Sequence, residues 1–158
     1  MGGLAGKWKG NQMMEPISVK KLHPKAVLPT YGSQEAAGAD LYACLDEDVT
    51  IAPGETVFVP TGIALEVPKG CAGLVYARSS LGSKRGLAPA NKVGVIDSDY
   101  RGQVMVALHN HGAVSQTVQP GERVAQLLIT PVYTPGFREA EELTDTDRGS
   151  GGFGSTGK

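Results

Sequence analysis

Cysteine is scarce. Cys44 and Cys71 are the only two, and they form no C-x-x-C pair. That excludes a disulfide scaffold and fits a reduced, cytoplasmic setting. An excess of one charge sign is also lacking: 15 Lys and Arg stand against 16 Asp and Glu, a net charge of −1. No global field therefore draws nucleic acid or an acidic membrane, and any anion site must be local. No apolar run approaches the length of a membrane span. No 3.6-residue apolar period persists over about ten positions, which leaves no long amphipathic helix. The first twelve residues, MGGLAGKWKGNQ, lack the apolar stretch of a signal peptide. Residues 1–14 read as a disordered leader or expression remnant, with Met13 or Met14 as the natural start.

Turn formers are abundant. The 22 glycines and 10 prolines make up about a fifth of the 158 residues. They follow no collagen period, so they signal many turns in a single β-rich domain. The chain reads as short strands at 17–22, 39–45, 49–51, 56–59, 62–67, 73–77, 93–96, 103–109, 117–118 and 124–132. Pro53-Gly54 and Pro120-Gly121 mark turns, and 97–102 reads as the loop of a hairpin. Only 80–86 reads as a helix, with Ser80 as its cap. This pattern predicts an all-β fold, a β-barrel or jelly-roll-like sandwich with one short helix. It spans residues 15–135, followed by an acidic, then glycine-rich arm over 136–158.

Five segments carry candidate chemistry. Arg78, Ser79 and Ser80 follow an apolar strand and offer a forked cation and two hydroxyls to phosphate oxygens; a loop with a capping serine and a surface arginine is the commoner reading of these residues alone. Gln126 interrupts the apolar run 124–132, so facing inward it must find a protein or ligand partner. Asp40 sits between small residues in AGADL, where another chain or a ligand can come close, or where an Asp simply opens a strand. The loop GVIDSDYRG over 94–102 holds Asp97, Asp99 and Tyr100. A water-activating base requires such a carboxylate, and a tyrosine offers a face for a sugar or base. Asn91 upstream has the donor and acceptor needed to read a pyrimidine edge. A polar loop without chemistry is the alternative.

The tail, GGFGSTGK, imitates a P-loop, but it is not preceded by a strand and no Ser or Thr follows Lys158. Arg148 and Phe153 give it another character: a cation for phosphate and a ring to stack on a base, joined by free backbone amides. His109 and His111 lie two apart and face one side of a strand, yet no third ligand is near in sequence for a closed zinc site.

Taken together, 37–43, 77–82, 91–102, 121–128 and 148–157, in this order and at these spacings, resemble the trimeric dUTPase family, with wording closest to bacterial or phage members. The resemblance spans 17–157. It implies a distorted jelly-roll, a homotrimer with active sites shared between subunits, and Mg²⁺-dependent hydrolysis of dUTP to dUMP and pyrophosphate. That activity limits uracil incorporation into DNA and supplies dUMP for thymidylate synthesis.

The resemblance also implies roles for single residues. Asp97 would deprotonate the attacking water and accept a bond from the 3′-hydroxyl. Tyr100 would pack on the deoxyribose and exclude a 2′-hydroxyl. Asn91, with the backbone of Val95, Ile96 and Met105, would read uracil. Arg78, Ser79, Ser80 and Gln126 would hold the phosphates. Arg148 would reach the γ-phosphate, while Phe153 and Gly154 close over the base. Asp40 would touch Mg²⁺ through water, with no direct protein ligand. The rivals are a dCTP deaminase of the same fold, a non-catalytic nucleotide-sensing phage regulator, and a structural jelly-roll module.

Overall fold

The computed structural model of the chain describes residues 14–154. The leader up to residue 13 and the last four residues, including the Lys158 end of the P-loop imitation, lie outside the described residues. In chain order the elements are β1 (Val19–Lys21), β2 (Thr30–Tyr31), β3 (Ala39–Tyr42), β4 (Val49–Ile51), β5 (Thr56–Pro60), β6 (Ile63–Leu65), β7 (Cys71–Tyr76), α1 (Ser79–Arg85), β8 (Leu87–Pro89), β9 (Gly94–Ile96), β10 (Met105–Asn110), β11 (Gln116–Val118) and β12 (Arg123–Pro131).

The strands form four antiparallel sheets. The largest runs β2-β3-β12-β7-β9, a second β5-β10-β8, and two pairs, β11-β4 and β1-β6, complete the barrel-like wall. β12 is central, with β3 on one side and β7 on the other, which is why its sequence is a nearly continuous apolar run. β10 instead alternates: Val106, Leu108 and Asn110 are buried while Met105, Ala107 and His109 face outward.

Leu41, Ile51, Val59, Ile63, Leu87, Leu108, Val118 and Val124 are fully buried and come from all four sheets, so one core ties the sheets together. Removing an aliphatic side chain of this size from water contributes ~1.5–3 kcal/mol. Asn110 is polar and wholly buried among them. Its amide nitrogen donates to the carbonyls of Ile51 (2.9 Å) and Val114 (2.8 Å), and its amide oxygen accepts from the Gly112 N–H (2.9 Å). The cost of desolvating it is thereby offset.

Among the described residues, the all-β architecture with one short helix agrees with the pattern in the sequence. The hairpin at 97–102 does not. β9 pairs with β7, whereas β10 pairs with β5 and β8, so this loop carries the chain from one sheet to another. The turns at Gly54 (φ +77°) and Gly121 (φ +77°) do the same. Two strands around a tight turn suggest a hairpin by spacing alone, but in a closed wall such corners are where strands change sheets. Several strands are trimmed: 17–22 to Val19–Lys21 and 62–67 to Ile63–Leu65. β2 and β8 escape the sequence because each is two or three residues long, and β8 ends on Pro89 at a sheet edge, where no N–H is needed. The helix begins one residue earlier than expected. Its N-cap is Arg78 with no side-chain capping bond, which overturns Ser80 as the cap.

Beyond β12 the chain leaves the body. Val132 N–H still bonds the Gly70 carbonyl (3.0 Å), and the described hydrogen bonds after it are local. Residues 133–150 are exposed and carry no helix or strand, and Tyr133, Phe137 and Leu143 are open to solvent.

Candidate active site

Two clefts hold most of the candidate residues. The first, about 260 Å³, opens beside β9 and β10 and is lined by Asn91, Val95, Ile96, Asp97, Tyr100 and Met105, together with Phe58 and Gln103. Ile96 is buried and anchors the end of β9, so Asp97 is the first residue to leave the sheet. The Tyr100 N–H bonds the Asp97 carbonyl (3.2 Å), which closes a turn. Arg101 Nη1 then donates to the carbonyls of Ser98 (2.8 Å) and Tyr100 (3.1 Å), and the Tyr100 hydroxyl donates to the Gln103 carbonyl (2.8 Å). These bonds fix the loop while leaving the Asp97 carboxylate without an ion pair or hydrogen bond among the described residues.

Asn91 is set by the turn after β8. The Lys92 N–H bonds the Pro89 carbonyl (2.9 Å), the Val93 N–H bonds the Asn91 carbonyl (2.7 Å), and Lys92 has a positive φ of 66°. Gly94 keeps the neighbouring wall low: a Cβ there would stand 3.4 Å from Asn91 Nδ2 and 3.3 Å from Val75 Cβ. The mouth of the cleft is apolar and open, with Phe58 and Val95 each about two-thirds exposed.

The second cleft, about 470 Å³, lies between α1 and the turn before β12. Its lining includes Tyr42, Arg78, Ser80, Lys84, Arg85 and Arg123. Arg78 Nε donates to Asp40 Oδ1 (2.9 Å), and Arg123 Nη1 lies 3.5 Å from Asp40 Oδ2. Asp40 is nearly buried, so one carboxylate aims two guanidinium groups. Gln126 lies beside Asp40 on β3 and Tyr76 on β7. Its Nε2 donates to the Ala77 carbonyl (2.8 Å), the bond that holds the strand end leading to Arg78. Gly38 leaves room for this side chain, because a Cβ would come within 2.4 Å of Gln126 Oε1 and displace it. The close approach that the small residues around Asp40 permit is therefore that of Gln126.

The structure thus brings Asn91, Val95, Ile96, Asp97, Tyr100 and Met105 together, and separately gathers Arg78, Ser79, Ser80, Gln126 and Asp40. The two clefts share no lining residue. Arg148, Phe153 and Gly154 join neither. Arg148 Nε donates to the Gly151 carbonyl (2.7 Å), and Phe153 projects freely with φ +52°.

Sequence reasoning passed over Phe58, Gln103, Lys84, Arg85 and Arg123. Phe58 had a legible signal, an aromatic on the outward parity of β5; Arg85 and Arg123 had none, because their partners are distant in sequence.

The His109 and His111 rings meet edge to face, with centroids 4.4 Å apart, and His109 Nδ1 lies 2.8 Å from the Thr56 hydroxyl. Partial desolvation, then the positive charges of Lys92 and His109, hold His111 below the usual imidazole pKa although the residue is largely exposed. Among the described residues no group of three His, Cys, Asp or Glu side chains is placed to hold a metal.

An isolated carboxylate beside an aromatic and an amide, with a separate arginine- and serine-lined cleft, is the outline of a nucleotide-cleaving enzyme. A dUTPase family model matches residues 24–157. The chain is 50% identical over 141 residues to the deoxyuridine 5′-triphosphate nucleotidohydrolase of Syntrophotalea carbinolica, covering 89% of this chain and 96% of that one. Its fold is similar to a dUTPase of Staphylococcus bacteriophage 80alpha solved with dUPNHPP, at TM-score 0.84 and 28% identity, covering 92% of this chain and all of that one. It is also similar, at TM-score 0.75 and 24% identity over 83% of this chain and all of that one, to a phage phi11 dUTPase whose structure describes the coordination of a structural Mg(II) ion. The chain belongs to the dUTPase family.

Proposed function

We propose that this chain hydrolyses dUTP to dUMP and pyrophosphate in a Mg²⁺-dependent reaction, with Asp97 as the base. The observation that carries this reading is the Asp97 carboxylate, unpaired among the described residues yet held on a braced loop in the cleft that also holds Asn91 and Tyr100. A base must be free to take a proton, and its backbone must not move when it does.

In the first cleft Asn91 and the backbone of Val95, Ile96 and Met105 read the uracil edge, and Tyr100 packs on the deoxyribose where a 2′-hydroxyl would collide. At the second, Arg78 and Ser80 of its lining, with Ser79 and Gln126 beside them, hold the phosphates. Asp97 takes a proton from water as the water oxygen bonds to the α-phosphorus, and the bond from that phosphorus to the bridging oxygen breaks. Pyrophosphate leaves with the bonding electrons. Such a displacement depends on alignment and charge neutralisation more than on covalent help.

Mg²⁺ fits a site of this kind. Each Asp40 oxygen meets one arginine and keeps a lone pair for water, and no carboxylate cluster stands nearby among the described residues, so the donor set suits an ion carried on the triphosphate rather than one caged by protein. Asp40 would hold it through water, and the ion would supply charge neutralisation.

The working unit in this reading is a homotrimer. The two clefts are separate within one chain, and the arm presents Tyr133, Phe137, Leu143 and Phe153 to solvent. A neighbouring copy supplies the missing half of each site, and residues 136–158 of another bring Arg148, Phe153 and Gly154 over it as a lid. No helix among the described residues is long and apolar enough to cross a membrane. With two unpaired cysteines and a nucleotide substrate, we assign the chain to the cytoplasm.

The test is pyrophosphate release from dUTP, dTTP, dCTP and UTP with and without Mg²⁺. Turnover of dUTP alone, abolished by removing the metal, is the expected result. Ammonia release from dCTP would transfer the chain to the deaminase reading, and no turnover of any of the four would overturn the catalytic one.

A further inference from the structure

We infer that Arg85, fastened to Glu122, is a positioning residue that sets the phosphate-holding start of α1 against β12. The inference rests on the proposed dUTP chemistry.

α1 is seven residues long and buries only Leu81. A helix that short has little stability of its own, and one apolar anchor leaves it free to pivot. Two features at its C-terminal end remove that freedom. Gly86 ends the helix in the left-handed region (φ +64°) and packs so closely on the β10–β11 connection that a Cβ there would come within 2.9 Å of the Gly112 nitrogen. Arg85 then makes one bond from each of its three nitrogens. Nε donates to Gln116 Oε1 (3.2 Å), Nη2 to the Thr117 carbonyl (2.5 Å), and Nη1 to Glu122 Oε1.

Glu122 carries the connection onward. Its Oε2 accepts the Gln119 N–H (2.9 Å), bracing the turn that leads into β12. The same turn is tied to the strand end at Ala43 by two backbone bonds of 2.8 Å each. Arg85 and Glu122 are both about one-quarter exposed, so water screens the pair less than a surface pair. A planar guanidinium is the one side chain that bonds three acceptors in this geometry.

The consequence is a rigid frame with Ser79 and Ser80 at one corner and Gln126, four residues past Glu122, at the other. Arg85 lines the same cleft as Arg78 and Ser80, but all three of its nitrogens are tied to the β11–β12 segment, which fixes the plane of the guanidinium, so it acts through these residues. Small displacements of positioning groups are expensive in phosphoryl transfer.

The test compares Arg85→Met, Arg85→Lys and Glu122→Gln with the unchanged chain. It measures kcat and KM for dUTP, the inhibition constant of deoxyuridine, and the melting temperature. Deoxyuridine has no phosphate and reports on the first cleft alone. The expected result for Arg85→Met is a loss of kcat/KM for dUTP on the order of tenfold or more, with deoxyuridine inhibition within about twofold of wild type. Arg85→Lys and Glu122→Gln, which each keep part of the fork's contacts, should lie between. Unchanged kcat/KM in a folded Arg85→Met chain overturns the inference. So does deoxyuridine affinity falling in parallel with kcat/KM, because that describes general loosening. If Arg85→Met does not fold, the other two variants decide by the same criteria. Turnover of dUTP by the unchanged chain tests the underlying reading separately.

Discussion

Tyr100 lies over Gly102 so closely that a Cβ at position 102 would come within 2.5 Å of the tyrosine hydroxyl oxygen. The hydroxyl is meanwhile bonded to the Gln103 carbonyl (2.8 Å), so the ring is held between a glycine and a backbone acceptor. Tyr100 also lines the first cleft. Gly102→Ala should therefore push the ring off its bond, at a cost of roughly 1–3 kcal/mol in strain. We expect the ratio of kcat/KM for dUTP over UTP to fall, because the displaced ring no longer fills the space of a 2′-hydroxyl. Steady-state kinetics on both substrates provide the check; an unaltered ratio would remove Tyr100 from sugar selection.

Asp97→Asn keeps the size and polarity of the side chain but not its basicity. Losing a general base typically costs about 10²–10⁴ in rate. We expect kcat for dUTP to fall by that amount, while calorimetry detects dUTP binding within a few-fold of wild type. Turnover like the wild type in this variant would sink the assignment.

Removing residues 148–158 deletes Arg148, Phe153 and Gly154 without touching the described body, since the arm's own hydrogen bonds are local. The melting temperature should stay unchanged and kcat/KM for dUTP should drop steeply. Full activity in the truncated chain would mean the arm is not a lid.

Asn110, itself wholly buried, bonds the buried Ile51 carbonyl and two groups of the exposed loop that follows, the Val114 carbonyl and the Gly112 N–H. Asn110→Ala orphans the buried Ile51 carbonyl and unties the loop at Gly112 and Val114, and should cost roughly 1–3 kcal/mol in chemical denaturation. A loss much below that would mean water replaces the amide.

His111 titrates below the usual value, 6.5, because partial desolvation and the charges of Lys92 and His109 disfavour its cation. Between the folded and unfolded values the unfolded chain binds more protons, so stability rises with pH through that window. The contribution is present above 6.5 and is lost as pH falls through the folded value. Melting temperatures between about pH 5 and pH 7.5 should vary less in His111→Gln than in the unchanged chain. Equal slopes would show that His111 contributes nothing.

Much of the fold is legible in the sequence. The alternation of Val106 and Leu108 with Ala107 and His109 marks β10, and Pro-Gly pairs mark turns at 53–54 and 120–121. The same holds for the site: Asp97, Tyr100 and Asn91 fall in one cleft, and Arg78 and Ser80 line another. β2 and β8 were hidden because two or three residues carry no readable period.

What the sequence determined by itself was which faces are buried, where the chain turns, and which chemical groups sit at the turns. Period and turn chemistry are local, so they survive in one dimension. Only the tertiary structure decided strand partners: β9 joins β7 and β10 joins β5, so the apparent hairpin at Asp97 bridges two sheets. It alone decided that Gln126 reaches past Gly38 to Ala77, and that Arg85 meets Glu122, 37 residues away in sequence. Alternation specifies a strand's inward side but not its neighbour. The neighbour is chosen when every buried face must share one core at once.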